Sequence, residues 1–214
     1  MKSRHFRRLA AITLLSWSLP ATAQIAGTIE TKSYPSTQGG RRIGCMIEFR
    51  TIVQDFTYRQ GEPVVVSGSM GFMNYPGKQP AVTLKVVLDD MSPDGKMVDK
   101  TTVPPISISL VGADGESNAA SQFMSERGDR PNSRIAAFSL DGFPEIFKRV
   151  LEQRELAVLF NRKNGGADVR VLADLTVEGL NDAGKPIRGT QTVAGFLACA
   201  DKLLADIDAD GLAK

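Results

Sequence analysis

The sequence predicts an α+β fold: mainly antiparallel β-sheet, sandwich-like, with two amphipathic helices in its C-terminal third. Three observations point there. Apolar residues alternate with polar ones over several short segments, turn-forming clusters separate those segments, and the apolar period becomes helical only after Pro144.

Residues Gln24 to about Gly40 are polar with few apolar anchors, and read as a loose leader or an edge strand. In "IGCMIEF" the residues Ile43, Cys45, Ile47 and Phe49 share one side, the period-2 pattern of a half-buried strand. "TIVQDFTY" continues or pairs with it, and Gly61 and Pro63 end the run. "VVVSGSMGFM" is strand-like, with Gly68 and Gly71 predicting a bulge or a bend. The turn-rich "NYPGKQP" leads into "AVTLKVVL", where Val82, Leu84, Val86 and Leu88 alternate, so these two segments form a hairpin. Short β-like pieces follow at "MVDKTTV" and "ISISLV", and the polar stretch 112–133, with only Phe123 and Met124 as apolar anchors, reads as a long loop, either mobile or functional, before "RIAAFSL" returns to strand.

Pro144 then opens a helix that places Ile146, Phe147, Val150 and Leu151 on one face and Glu145, Lys148, Arg149 and Glu152 on the other. "ELAVLF" and the alternating Val169, Val171, Ala173, Leu175 and Val177 flank "NRKNGG" as a second hairpin. A short strand around Ile187 to Thr192 precedes a final helix carrying Phe196, Cys199, Ala200, Leu203 and Ile207 at helical spacing.

The N-terminus is organised differently. Lys2, Arg4, Arg7 and Arg8 precede the apolar run "LAAITLLSWSL", and "ATA" places Ala21 and Ala23 as a signal-peptidase site. The expected organisation is a signal peptide over 1–23 and a single globular domain over 24–214. The apolar run is too short to span a bilayer, so no transmembrane segment is expected in the mature chain. No cysteine follows it closely enough for a lipid anchor, and Arg7-Arg8 hints at twin-arginine export, although Ala11 favours the ordinary secretory route. Localisation is therefore expected to be periplasmic or secreted.

Removing the segment changes the charge balance. It takes four basic residues and no acidic one, leaving 22 basic against 24 acidic, a net charge of −2. A chain so balanced, without a Lys/Arg block, lacks the electrostatic footprint of a nucleic-acid binder. A domain of this length buries roughly 70% of its unfolded surface, so a substantial core is expected.

The only histidine, His5, lies in the leader. The mature chain therefore has no Ser-His-Asp or Cys-His nucleophile system, no histidine acid/base and no histidine-ligated metal. Cys45 and Cys199 are the only cysteines, and in an oxidising compartment they are expected to pair. Closing a loop of that length is worth about 4–5 kcal/mol in the chain-entropy description.

Candidate chemistry is sparse. "VSGSMG" around Ser69 fails as a nucleophile elbow on spacing and for want of a histidine, and no phosphate-cradling glycine loop occurs. Paired carboxylates could still run a glycosidase-like reaction, with Glu48, Asp55, Asp89, Asp90 and Asp174 as candidates. Solvent-facing roles are the simpler reading for Glu48 and Asp174. Tyr34, Tyr58, Phe72, Met73 and Tyr75 sit near turns and strand ends, where such side chains serve contacts or cap a core.

The C-terminal "DIDADGLAK" sets Asp206, Asp208 and Asp210 at alternate positions before Gly211 and resembles the first half of an EF-hand calcium loop. The chain as given ends before the position of the closing bidentate glutamate, so the three aspartates are expected to hold calcium weakly at best. No cofactor is expected. These features together predict a disulfide-stabilised envelope protein with a non-enzymatic binding or structural role toward an unidentified envelope protein or ligand. A histidine-free hydrolase using acidic residues is the alternative.

Intact-mass analysis of the exported protein should give a chain beginning at Gln24, with no cysteine labelled by a thiol reagent in the absence of reductant. Two labelled cysteines would refute the bridge.

Overall fold

A computed structural model describes residues 26–74, 79–92, 96 and 103–211, with side chains described as far as Asp206. The signal-peptide expectation, Tyr75 and most of "MVDKTTV" lie outside the described residues. The main layer is a six-stranded antiparallel sheet. In chain order its strands are β1 (Gly27–Gln38), β2 (Arg41–Asp55), β3 (Glu62–Met73), β4 (Ala81–Asp90), β6 (Gln122–Arg127) and β7 (Ser133–Phe138). They are arranged in space as β1-β2-β3-β4-β7-β6. A second sheet joins β5 (Ser107–Val111), β8 (Glu155–Asn161) and β9 (Val169–Asp174) in the order β5-β8-β9, and β10 (Val177–Leu180) pairs with β11 (Pro186–Arg188). Two helices, α1 (Phe143–Lys148) and α2 (Gln191–Gly211), complete an α+β fold of mainly antiparallel sheet.

The period-2 segments form the core as the alternation requires. Phe49 of β2, Met70 of β3, Leu84 of β4 and Phe138 of β7 meet Ile108, Leu156 and Phe160 of the second sheet in one cluster. Glycine puts no bulge in β3. Its ladders to β2 and β4 run through Gly68 and Gly71 without a register shift. What the glycines provide is close approach, since a Cβ at Gly68 would stand 2.8 Å from the Phe49 ring and collide with the Lys85 carbonyl.

The helices lie over the end of the sandwich where Cys45 sits. Phe72 of β3 stacks on Phe143 at 5.4 Å, Phe143 meets Phe147 at 5.5 Å, and Phe147 meets Phe196 of α2 at 6.2 Å. Beside this aromatic file Cys45 and Cys199 are joined by a disulfide across 154 positions. β1, the polar segment, is held as an edge strand by buried hydroxyls. Thr31 Oγ1 donates to the Val177 carbonyl at 2.9 Å, and Thr192 Oγ1 donates to the Thr31 carbonyl at 3.0 Å. Gly195 admits α2 against β1, because a Cβ there would collide with Ser33.

At the other end of the strands the layers are joined by charge. Asp55 closes β2 and Asp90 closes β4, both buried. Arg162, at the end of β8 and only 8% exposed, forks onto both Asp90 oxygens at 2.8 and 3.3 Å, and its Nε lies 3.4 Å from Asp55. Arg59 adds a 2.8 Å contact to Asp90, and the Tyr58 amide donates to Asp55 at 2.8 Å.

Four further expectations are corrected. The stretch 112–133 is not a plain loop: it holds a 3-10 turn, Asn118–Ser121, and the whole of β6. The run Val169 to Val177 is two strands, because the chain changes sheet at Leu175, whose amide donates to the Arg154 carbonyl at 2.8 Å. The final helix begins at Gln191, inside the segment read as strand, and Glu178 accepts its first amide at 2.6 Å. Arg149 is not on the solvent face. α1 passes into a π turn, Arg149–Gln153, and the wider turn rotates Arg149 inward, where it donates to the Gly112 carbonyl at 3.0 Å and to Glu155 at 3.1 Å.

Replacing Arg162 by methionine leaves two buried carboxylates with half their counter-charge. Urea unfolding should show a loss of about 3–5 kcal/mol, far more than for an exposed arginine such as Arg188.

Candidate functional site: a groove on the outer face of the main sheet

One face of the six-stranded sheet is committed to the core, and the register dictates what stands on the other. One row across the strands reads Lys32, Glu48, Ser69, Lys85, Ile135 and Glu126. It is a mixed polar row of the kind expected on a solvated antiparallel face. Lys32 bonds Glu48 at 3.2 Å, and that hydrogen bond and charge raise the lysine above its ordinary range. Lys85 bonds Asp129 at 2.6 Å, and this hydrogen bond, with the attraction behind it, holds the Asp129 carboxyl below its usual range.

The next row breaks the rule. It reads Tyr34, Met46, Gly71, Thr83, Ala137 and Met124, and beyond it lie Met73 and Ala81. Burial is the main reason the Tyr34 phenol is raised above its ordinary value, with the charge of Glu48 adding to it. Two thioethers form the floor. A Cβ at Gly71 would collide with Met46 Sδ, and one at Gly44 with Met73 Sδ, so each methionine lies flat over a strand that has no side chain there. Phe123, 66% exposed, stands at the β6 end. The result is an open groove of about 860 Å³ crossing the sheet from Ser36 to Met124, within the usual range for ligand sites.

The carboxylates named from the sequence are dispersed or neutralised. Glu48 pairs with Lys32, and Asp89 accepts from Asn132 at 2.7 Å. Asp55 and Asp90 do come together, but with the Arg162 guanidinium against both. Asp174 lines a second, shallower concavity of about 540 Å³ between β1, β9 and β10. Burial pushes its carboxyl up, yet hydrogen bonds from Thr176 at 2.6 Å and Arg188 at 2.5 Å outweigh that and hold it below the usual range. A carboxyl kept ionised is the reverse of what a general acid needs.

At the C-terminus the backbone stays helical to Gly211, past Asp206, where the calcium-loop alignment would end the helix. Asp206 is exposed, and the side chains of Asp208 and Asp210 fall outside the described residues. Among the described residues no three His, Cys, Asp or Glu side chains gather as a metal-binding group, and no helix is long and apolar enough to cross a membrane.

Of the contact residues named from the sequence, Met73 lines the groove and Tyr34 stands beside it. Phe72 faces the core, and Tyr58 donates its hydroxyl to the Ala167 carbonyl at 2.5 Å. Met46 and Ala137 were not anticipated, and Phe123 and Met124 were expected only as the apolar anchors of the 112–133 loop. The signal for the first was present: Met46 is the apolar residue out of phase with Cys45 and Ile47, and Gly71 is its gap. Comparison with family models, curated proteins and solved structures gives no match for this chain.

Because the Asp174 carboxyl is depressed in the folded chain, its stabilisation is complete above about pH 4, the unfolded value, and is lost as pH falls through the folded value. Asp174→Asn should cut stability at neutral pH and flatten the acid limb of a thermal-melt series. An unchanged acid limb would assign that sensitivity elsewhere.

Proposed function

We propose that the protein is an exported, disulfide-stabilised binding protein of the cell envelope, and that its binding site is the methionine-floored groove. One observation carries this reading: an antiparallel sheet with a separate packed core presents a second, concave apolar face to solvent. The residue choice supports it. Methionine side chains adapt to irregular apolar partners and cost little to rearrange, which suits a binding floor better than a rigid core. Export is supported by the leader pattern and by the cross-link. The histidine-free hydrolase is less well supported, since each carboxylate that could serve it is paired, hydrogen-bonded or held ionised.

The apolar dye 1-anilinonaphthalene-8-sulfonate tests the site. It should bind the native protein with a fluorescence rise at one saturable site, and Ala137→Arg should weaken binding about tenfold, a loss of about 1.4 kcal/mol, without lowering the melting temperature. Gly71→Leu, which displaces Met46 from the floor, should also weaken it. Dye binding indifferent to both substitutions would sink the groove as the site.

A further inference from the structure

The groove does not end in a wall at β6. β6 is the outermost strand of the sheet, paired among the described residues only with β7, and nearly all of it is exposed. In an antiparallel ladder alternate residues turn their N–H and C=O toward the partner strand. Gly128 donates its amide to the Ser133 carbonyl at 3.1 Å, in register with the Glu126–Ile135 and Met124–Ala137 pairs. Counting along that register, Ser125 and Arg127 turn their backbone groups away from the sheet. The bulge in β6 lies at Phe123, before this stretch, and leaves Met124 to Arg127 regular.

An added strand on this edge would hydrogen-bond Ser125 and Arg127 and set alternate side chains on the groove face, opposite Met124 and Glu126. Met124 calls for an apolar residue there. Glu126 calls for a cation, since it pairs with no cation among the described residues and stands next to the apolar floor. Self-pairing of two β6 edges does not meet that demand. Antiparallel pairing of two β6 edges through their outward groups places Glu126 against Met124, Glu126 or Gly128, and none of these offers a positive charge.

We propose that β6 is a docking edge for an extended peptide segment of an envelope partner. It would add as a seventh strand, with a lysine or arginine opposite Glu126 and an apolar side chain two residues away that extends the methionine floor. This rests on the groove reading for its side-chain contacts, and adds to it a main-chain site and a charge rule.

The test uses the exported full-length domain and a fluorescein-labelled peptide, Thr-Leu-Thr-Lys-Thr-Leu-Thr, whose pattern suits either strand direction. Anisotropy should show saturable binding that Glu126→Lys weakens about tenfold, and that a peptide with glutamate in place of lysine recovers on the Glu126→Lys protein. Ser125→Pro removes an outward N–H that an edge strand can lose, together with the exposed hydrogen bond from Arg134 to the Ser125 hydroxyl, and should abolish binding of both peptides with only a small fall in melting temperature. Glu126→Lys alters only an exposed side chain, so the charge arm stands even if the proline variant fails to fold. Peptide affinity indifferent to Glu126→Lys overturns the proposal. So does a concentration-dependent dimer, seen by sedimentation, that Ser125→Pro dissolves and the peptide does not, because the edge then serves a second copy. Dye binding that Ala137→Arg blocks, with no peptide binding, overturns strand addition while leaving the groove intact. Absence of both overturns the groove as well.

Discussion

The β2–β3–β4 ladder, which runs from Gly44 to Asp90 without a register shift, is the constraint on which the rest depends. Because side chains alternate strictly, one register decides two surfaces at once. It places Cys45, Ile47 and Phe49 against the second sheet and, by the same count, Met46 and Glu48 toward water. A slip of one residue would exchange those sets and would also move Gly71 from beneath Met46. The glycines that weaken β3 as a strand are thus what permit both faces to pack: Gly68 receives the Phe49 ring, and Gly71 receives the Met46 thioether.

The two ends of that ladder are fixed by opposite kinds of force. Near Cys45 the attachment is covalent and aromatic, through α2 and the file of four phenylalanines. Near Asp55 and Asp90 it is ionic and buried, and its strength comes from mutual completion. Removing one arginine is costly, although replacing the whole cluster by apolar residues need not be. Such a cluster contributes more to the alignment of the two sheets than to net stability, since only one relative position brings Arg162 onto both carboxylates.

What was legible in the sequence follows from where each element is buried. β2, β4 and α2 each have one buried and one wet side, so Ile43 to Phe49, Val82 to Leu88 and Phe196 to Leu203 announced their periods. β6 has no buried side to announce; its pattern is polar because it is an edge, and edges carry no alternation. Arg149 was misplaced because a π turn adds a residue that no 3.6-residue count includes. The groove was hidden for a different reason. Its residues are outward-facing, and an apolar residue in an outward phase looks like noise until cross-strand neighbours are known. Met46, Ala137 and Met124 are far apart in the chain and adjacent only through the register. The pairing of the cysteines, by contrast, needed only composition and the compartment expected from the leader pattern.

The bond between Cys45 and Cys199 also sets an order of events during biosynthesis. The strand that carries Cys45 is made 154 residues before the cysteine of the helix that carries Cys199. β1 likewise waits for Val177 and Thr192 to satisfy the hydroxyl and carbonyl of Thr31. Contacts of such long sequence separation form slowly, because most of the chain must be ordered before they are rewarded. A chain emerging residue by residue from a narrow exit can therefore build the β2–β3–β4 meander as it goes, but cannot close until its final helix is free. No third thiol lies between Cys45 and Cys199 to compete for this bridge, and the interval before that helix docks is when either thiol is open to pairing with another chain.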